Sequence, residues 1–227
     1  MMADPKLVIF DCDGVLVDSE PISIAVLLDR IAAAGGNVSE AEAYRRFLGR
    51  SMVAVRSVLR TDFGLTLSDL DLDIIRTETA RRFRAELQPM PGIVEALSGL
   101  GSRRCVASSG HSDRIRLSLS ITGLLEMLEP HIYSATMVAR GKPAPDLFLH
   151  AAHAMGVEPA DCVVIEDSPA GIDAAHAAGM PVLAFIGGSH AANEAHCAEL
   201  AVRRPDLTFS DMRRLPELLA SLGRQDS

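Results

Sequence analysis

The chain has no tryptophan, only 2 tyrosines and an aromatic share of 4%, so the interior of its 227 residues must be built from aliphatic side chains. Lysine is nearly missing as well: of the 22 basic residues only Lys6 and Lys142 are lysines. The internal Lys142 is therefore a candidate for a role that a compact ammonium fills better than a planar guanidinium. The 4 cysteines, Cys12, Cys105, Cys162 and Cys197, are too widely spaced for a CxxC metal site or a disulfide scaffold. They read as small buried thiols in a reducing compartment. Excess positive charge is absent too, and a formal net charge of -8 argues against nonspecific attraction to nucleic acid or anionic membrane. No apolar run approaches the ~20 residues of a membrane span. The expectation is a soluble, cytoplasmic chain, a monomer as the working assumption, with no nucleic-acid or membrane partner.

What is present is an apolar share of 48%, ample for one large domain or a core domain with an insert. The organising stretch is Lys6-Leu7-Val8-Ile9-Phe10-Asp11-Cys12-Asp13-Gly14. A short apolar run ends in two carboxylates one residue apart. Side chains two apart in a strand point the same way, so Asp11 and Asp13 can leave a buried strand toward one small volume. Two like charges that close favour protonation of each other unless a divalent cation lies nearby. An isolated Asp-x-Asp is also compatible with a strand that simply ends in a polar turn.

Downstream, helical periodicity opens at Pro21, closes at Gly35-Gly36, and resumes from Ser39 to Leu48, Met52 to Phe63 and Ser68 to Leu87. Residues 16–88 thus read as an all-helical insert departing from the Asp11/Asp13 turn, which suits a lid. Residues 1–15 and 89–227 read as the main domain, with Pro89-Met90-Pro91-Gly92 as the return. There, Cys105-Val106-Ala107, Ile132-Tyr133, Cys162-Val163-Val164-Ile165, Val182-Leu183-Ala184-Phe185 and Leu207-Thr208-Phe209 are strand candidates. They alternate with helices at Ile93–Leu100, after Asp113, Leu147–Met155, Pro169–Gly179, Ala191–Ala201 and Leu215–Leu222. Strands alternating with helices imply an open α/β sheet whose ligands sit beyond the strands' carboxyl ends. Those ends carry Asp11/Asp13, Ser108-Ser109-Gly110 and Glu166-Asp167-Ser168, while Lys142 lies in a proline-rich loop. His190 and His196 have no matching ligand set and read as scattered surface or locally bonded residues.

All-oxygen donors favour magnesium over zinc. Asp11, the Asp13 backbone carbonyl and Asp167 can supply ligands, with Glu166 as a further ligand or an acceptor behind them. Facing a phosphate monoester, Asp11 can attack phosphorus to form an aspartyl-phosphate. Lys142 and Ser108 would stabilise charge on the phosphoryl oxygens. Asp13 would protonate the departing alkoxide and later activate water.

The order and spacing of these groups resemble the haloacid dehalogenase-like phosphohydrolases, in the branch of beta-phosphoglucomutase and small sugar-phosphate phosphatases. Asp11-Cys12-Asp13-Gly14-Val15 looks like the family's first motif, Ser108 its second, Lys142 in Gly-Lys-Pro-x-Pro-Asp its third and Glu166-Asp167 its fourth. The resemblance implies a Rossmann-like, mostly parallel core, an inserted helical cap, Mg2+ and an aspartyl-phosphate mechanism. Asp13 together with Glu166-Asp167 favours phosphoryl transfer over carbon–halogen hydrolysis. Ser23 stands where mutase-like members carry histidine, so a phosphatase is expected, with a beta-phosphoglucomutase-like mutase as the alternative and an idle phosphate-binding protein as a third reading. The opening Asp-Cys-Asp-Gly-Val-Leu-Val-Asp-Ser-Glu and the turn Gly187-Gly188-Ser189-His190 resemble bacterial sugar-acid phosphate phosphatases, implying a small sugar or sugar-acid phosphate such as 6-phosphogluconate. Ser109 joins Ser108 and Lys142 in binding the phosphate. Arg45, Arg46, Arg50 and Arg56 are candidates for gripping the leaving group, and Glu20 for orienting the site or the hinge.

Overall fold

The computed structural model describes residues 5–192 and 194–222. Strand β1 (Leu7–Phe10) is followed by four helices, α1 (Glu20–Ala33), α2 (Glu40–Phe47), α3 (Met52–Asp62) and α4 (Asp69–Glu86). Then come α5 (Ile93–Gly99), β2 (Arg103–Ser108), α6 (Ser112–Ile121), α7 (Leu125–Leu128) and β3 (Ile132–Ser134). The chain continues through α8 (Asp146–Ala154), β4 (Cys162–Glu166), α9 (Pro169–Ala177), β5 (Val182–Phe185), α10 (Glu194–Val202), β6 (Leu207–Phe209) and α11 (Leu215–Leu222).

The strands form one parallel sheet in the order β3-β2-β1-β4-β5-β6. After β3 the chain crosses back past β1 to place β4 on its other side. That reversal opens a crevice at the carboxyl end of β1, where Rossmann-like sheets hold ligands. Asp11 leaves β1 at this point.

Both faces of the sheet are covered, which is why its strands read as continuous apolar runs. Val8, Phe10, Val106, Val163, Ile165, Leu183 and Phe185 point into one apolar cluster. Leu7, Ile9, Cys105, Ala107, Cys162, Val164, Val182 and Ala184 point into the opposite one. A third cluster, with Ile24, Leu27, Phe47, Val55, Leu59 and Ile75, lies within the helical layer α1–α4. The layer is anchored below, because Ile22, Phe83 and Leu87 belong to the first sheet cluster. Its entry and exit strands are also pinned together: Met90 N donates to Leu16 O at 2.9 Å and Asp18 N to Gln88 O at 3.1 Å.

Serine starts three of the layer's helices. Ser39, Ser51 and Ser68 each accept a backbone N–H of the first turn, and Ser68 with Asp71 forms a full capping box. Ser19, at the start of α1, makes no such cap. Its hydroxyl is used elsewhere.

Two details depart from the sequence pattern. The single-turn helix α7 has too few residues to show periodicity. The helix expected from Ala191 begins at Glu194, preceded by a 3-10 turn, Ser189–Ala192, that carries His190 inward. All cysteines are free, with Cys12, Cys105 and Cys162 buried. Among the described residues, no helix is long and apolar enough to cross a membrane.

Phe10 is fully buried at the end of β1, directly before Asp11. Phe10→Ala is expected to cost about 3–5 kcal/mol of unfolding free energy, since it removes buried surface and leaves a cavity. Denaturant titration checks this.

Candidate active site

The carboxyl ends of β1, β2 and β4 bring Asp11, Ser108 and Glu166-Asp167 to one crevice. Lys142 enters it from the loop before α8. Its Nζ lies 2.5 Å from Asp11 Oδ1 and 2.6 Å from Glu166 Oε1, with the side chain only 1% exposed. The Phe148 ring lies 4.8 Å away, closing the apolar side of the ammonium. Burial alone would pull the Lys142 ammonium down, but Asp11 and Glu166 reverse the effect and hold it above its ordinary value.

Glu166 is spoken for by the protein. Its Oε2 accepts from Asp167 N, Ser168 N and Ser168 Oγ at 3.0, 3.0 and 2.9 Å, while Oε1 takes Lys142. This arrangement suits the orientation of Lys142 better than metal ligation. Gly171 lets the carboxylate pack there, because a Cβ at 171 would lie 1.9 Å from it.

Asp13 has separate partners. Its Oδ1 accepts from Ser19 Oγ at 2.5 Å and from Arg114 Nη2 at 2.9 Å. Asp11 and Asp13 therefore leave one strand end for two different environments: Asp11 faces a lysine, and Asp13 faces the helical layer. Ser108 is buried, and its Oγ accepts Gly110 N at 3.1 Å. Ser134 Oγ donates to Gly110 O at 2.6 Å, which fixes the turn that carries Ser108 and Ser109.

Burial pushes the Asp11 carboxyl well above the usual range; Lys142 opposes this, while Glu166, Asp167 and Asp13 add to it. The protein thus gathers more carboxylate than cation. Asp167 Oδ2 and both His190 ring nitrogens are buried without a hydrogen-bond partner; Nε2 and Oδ2 are 2.8 Å apart but misaligned. Among the described residues no ready group of three His, Cys, Asp or Glu side chains is assembled to hold a metal. A small hard cation does not require one, since Mg2+ is commonly held by one or two carboxylates with water and phosphate. The surplus charge and the orphaned Asp167 oxygen fit such an ion.

His190 and His196 are not surface residues. Both are buried, their rings meet edge to face at 5.3 Å, and His196 Nε2 lies 2.8 Å from Asp167 O. Burial alone would lower the His190 ring, yet contact with Asp167 raises it overall. They buttress the Asp167 loop.

Above the crevice lies a cavity of about 640 Å³ between sheet and helical layer, lined by Asp11, Asp13, Glu20, Ser108, Arg50 and Arg114 among others. The loop between α2 and α3 touches its floor: Gly49, at φ 68°, sits so close to Ser168 that a Cβ would lie 2.4 Å from the Ser168 Cβ. Arg50 and Arg56 line the cavity; Arg45 and Arg46 do not. Arg45 faces Glu42 and Arg46 pairs with Asp62 beside Phe63, so these two of the four candidates lie away from the cavity. Arg56 also bonds Leu67 O at 3.0 Å and Asp69 at 3.3 Å. Sequence reasoning missed Arg76 and Arg114. Arg114 had one available signal, its place one turn after Ser108-Ser109-Gly110.

A carboxylate–lysine–carboxylate array at the switch point of a parallel sheet, under a helical insert, defines a hydrolase of the α/β phosphoryl-transfer type. The comparisons with known proteins agree. The haloacid dehalogenase-like hydrolase model matches residues 5–179. The chain is 31% identical over 223 residues to the 6-phosphogluconate phosphatase of Escherichia coli (strain K12), covering 98% of both chains. Its structure is similar to a conserved haloacid dehalogenase-like protein of Agrobacterium tumefaciens, with 37% identity, TM-score 0.84 and coverage of 96% and 99%. It is also similar to a HAD family hydrolase of Deinococcus radiodurans with bound phosphate and sodium, with 31% identity, TM-score 0.76 and 97% of each chain covered. The chain belongs to the haloacid dehalogenase-like hydrolases.

Glu20 supplies a pH test. Burial first, then Asp13 and Asp167, push its carboxyl from 4.5 to about 8. Below 4.5 it is neutral in both folded and unfolded chains; between 4.5 and 8 only the unfolded chain releases the proton. Stability should therefore fall as pH rises through that window, by at most about 1.4 kcal/mol per pH unit. Glu20→Gln is expected to flatten this decline in denaturant titrations with chelator present.

Proposed function

We propose that the chain is a magnesium-dependent phosphatase that hydrolyses a small phosphorylated sugar or sugar acid through an aspartyl-phosphate. Residues 1–15 and 89–227 form its catalytic core and residues 16–88 its cap. The observation that carries the reading is the division of labour at the end of β1: Asp11 is buried against Lys142, while Asp13 is held by Ser19 and Arg114 at the cavity wall.

In this mechanism Asp11 attacks phosphorus in line. The phosphorus–oxygen bond to the leaving group breaks as Asp13 delivers a proton to the departing alkoxide. Asp13 then takes a proton from water, whose oxygen displaces Asp11 from phosphorus and frees inorganic phosphate. Lys142 holds Asp11 in place, and Ser108 with the neighbouring backbone N–H groups stabilises the phosphoryl oxygens. Asp11, Asp167 and the Asp13 carbonyl would hold Mg2+, whose chemistry is to offset charge on Asp11 and on the phosphate.

The sugar-acid preference is supported by the 6-phosphogluconate phosphatase relative and by Arg50 and Arg56 on the leaving-group side, since guanidinium suits a carboxylate. Ser23, in place of the histidine of mutase-like members, supports hydrolysis over phosphoryl return to the sugar.

The test is phosphate release from phosphorylated sugars, sugar acids, polyols and nucleotides, with and without Mg2+, alongside a hexose-phosphate isomerisation assay. Release from sugar or sugar-acid phosphates that depends on Mg2+ is expected; isomerisation with little release overturns the phosphatase. Asp11→Asn should abolish turnover in a folded protein, and full activity in that variant removes it as nucleophile. Asp13→Asn should lower kcat by about 10²–10⁴-fold. Gly49→Ala should raise KM and lower kcat, because its methyl group keeps the loop off Ser168, and should also lower Tm, because alanine is strained at the positive φ of this position.

A further inference from the structure

Arg114 stands on the first turn of α6, in the core, yet its guanidinium reaches three other elements. Its Nη2 donates to Asp13 Oδ1 at 2.9 Å and to Ser23 Oγ of α1 at 3.2 Å. Its central carbon lies 5.3 Å from the ring of Phe83 in α4. The Nε is buried without a partner, so the group is held there by the other contacts at some cost in desolvation. Ser19, at the mouth of α1, gives up its capping role and donates to the same Asp13 oxygen. Both donors converge on Oδ1. Oδ2, on the side of Gly110, takes neither donor.

We propose that Arg114 is a positioning residue that sets the orientation of Asp13 and ties it to the docking of α1 and α4 onto the core. For the part played by Asp13 this rests on the phosphatase reading; the coupling itself rests on the contacts alone. A planar guanidinium can meet a carboxylate, a hydroxyl and an aromatic face together, which an ammonium does less well. Movement of α1 or α4 away from the core removes Ser23 or Phe83 from that group and loosens its hold on Asp13. Asp13 is thereby set for proton transfer only when the cavity is covered. Ser23 gains a role of its own, as the link between α1 and this group.

The experiment uses the full chain as wild type, Arg114→Met, Arg114→Lys and Ser23→Ala, with Asp13→Asn as reference. Backbone hydrogen exchange is followed without substrate. Arg114→Met is expected to speed exchange at 14–23 and 83–90 by about 10-fold or more, as local opening becomes easier, and Ser23→Ala to act on the same segments more weakly. Unchanged exchange there in Arg114→Met overturns the coupling whatever the activity. On the compound that the wild type hydrolyses best, kcat should fall about 10–100-fold through lost alignment, with KM and inhibition by inorganic phosphate within about 3-fold. Arg114→Lys should recover only part of the loss. A raised KM with kcat retained overturns the positioning role and makes Arg114 a substrate-gripping residue; full rescue by lysine overturns the need for the planar group. If the wild type releases phosphate from no compound, the phosphatase reading fails and the exchange result alone decides the coupling.

Discussion

The contact of Lys142 with Asp11 and Glu166 is the interaction on which the rest of the site depends. A buried ammonium is costly alone, and so is each buried carboxylate; together they offset one another only while their geometry is held. The fold supplies that geometry from separate elements. β1 delivers Asp11, β4 delivers Glu166, and the loop before α8 brings Lys142 beneath Phe148. Glu166 is fixed in turn by Ser168 and two backbone N–H groups, and the bare α-carbon of Gly171 makes room for it. Orientation therefore runs from the first turn of α9 to Glu166, from Glu166 to Lys142, and from Lys142 to Asp11.

A single ammonium does not balance the carboxylates gathered here. Asp167 adds charge beside Asp11 and has only the misaligned, buried His190 close at hand. This excess of carboxylate over ammonium is the feature on which the proposed magnesium site rests. Asp13 stands outside this cluster, with donors from the entrance of α1 and from α6. In the proposed mechanism the sheet end serves phosphoryl chemistry and the boundary with the helical layer serves proton transfer.

Much of this is legible in the sequence. Apolar runs ending in Asp11, Ser108 and Glu166-Asp167 reveal strand ends because the buried stretches of parallel strands are nearly continuous apolar runs. The helical insert is legible from periodicity, and Lys142 from its isolation among arginines. Arg114 is much less so, because its place one turn after Gly110 is its one local signal; its contacts with Phe83 and Ser23 come from tertiary packing. Of the four candidate arginines, Arg45 and Arg46 turn away from the cavity, since the loop's neighbourhood, not its sequence, decides which arginines point inward. His190 and His196 carry no ligand spacing, and their burial against Asp167 depends on the 3-10 turn after Gly188.

The central claim is that Asp11 carries the phosphoryl group during turnover. The most direct measurement is a rapid acid quench of the wild-type enzyme turning over a sugar phosphate with Mg2+, followed by mass mapping of its peptides. A phosphoryl adduct on Asp11, formed and lost at rates compatible with kcat and absent from Asp11→Asn, is the result this account predicts. Phosphate release at the full rate with no adduct in a single turnover, or an adduct on Ser108 instead, would contradict it.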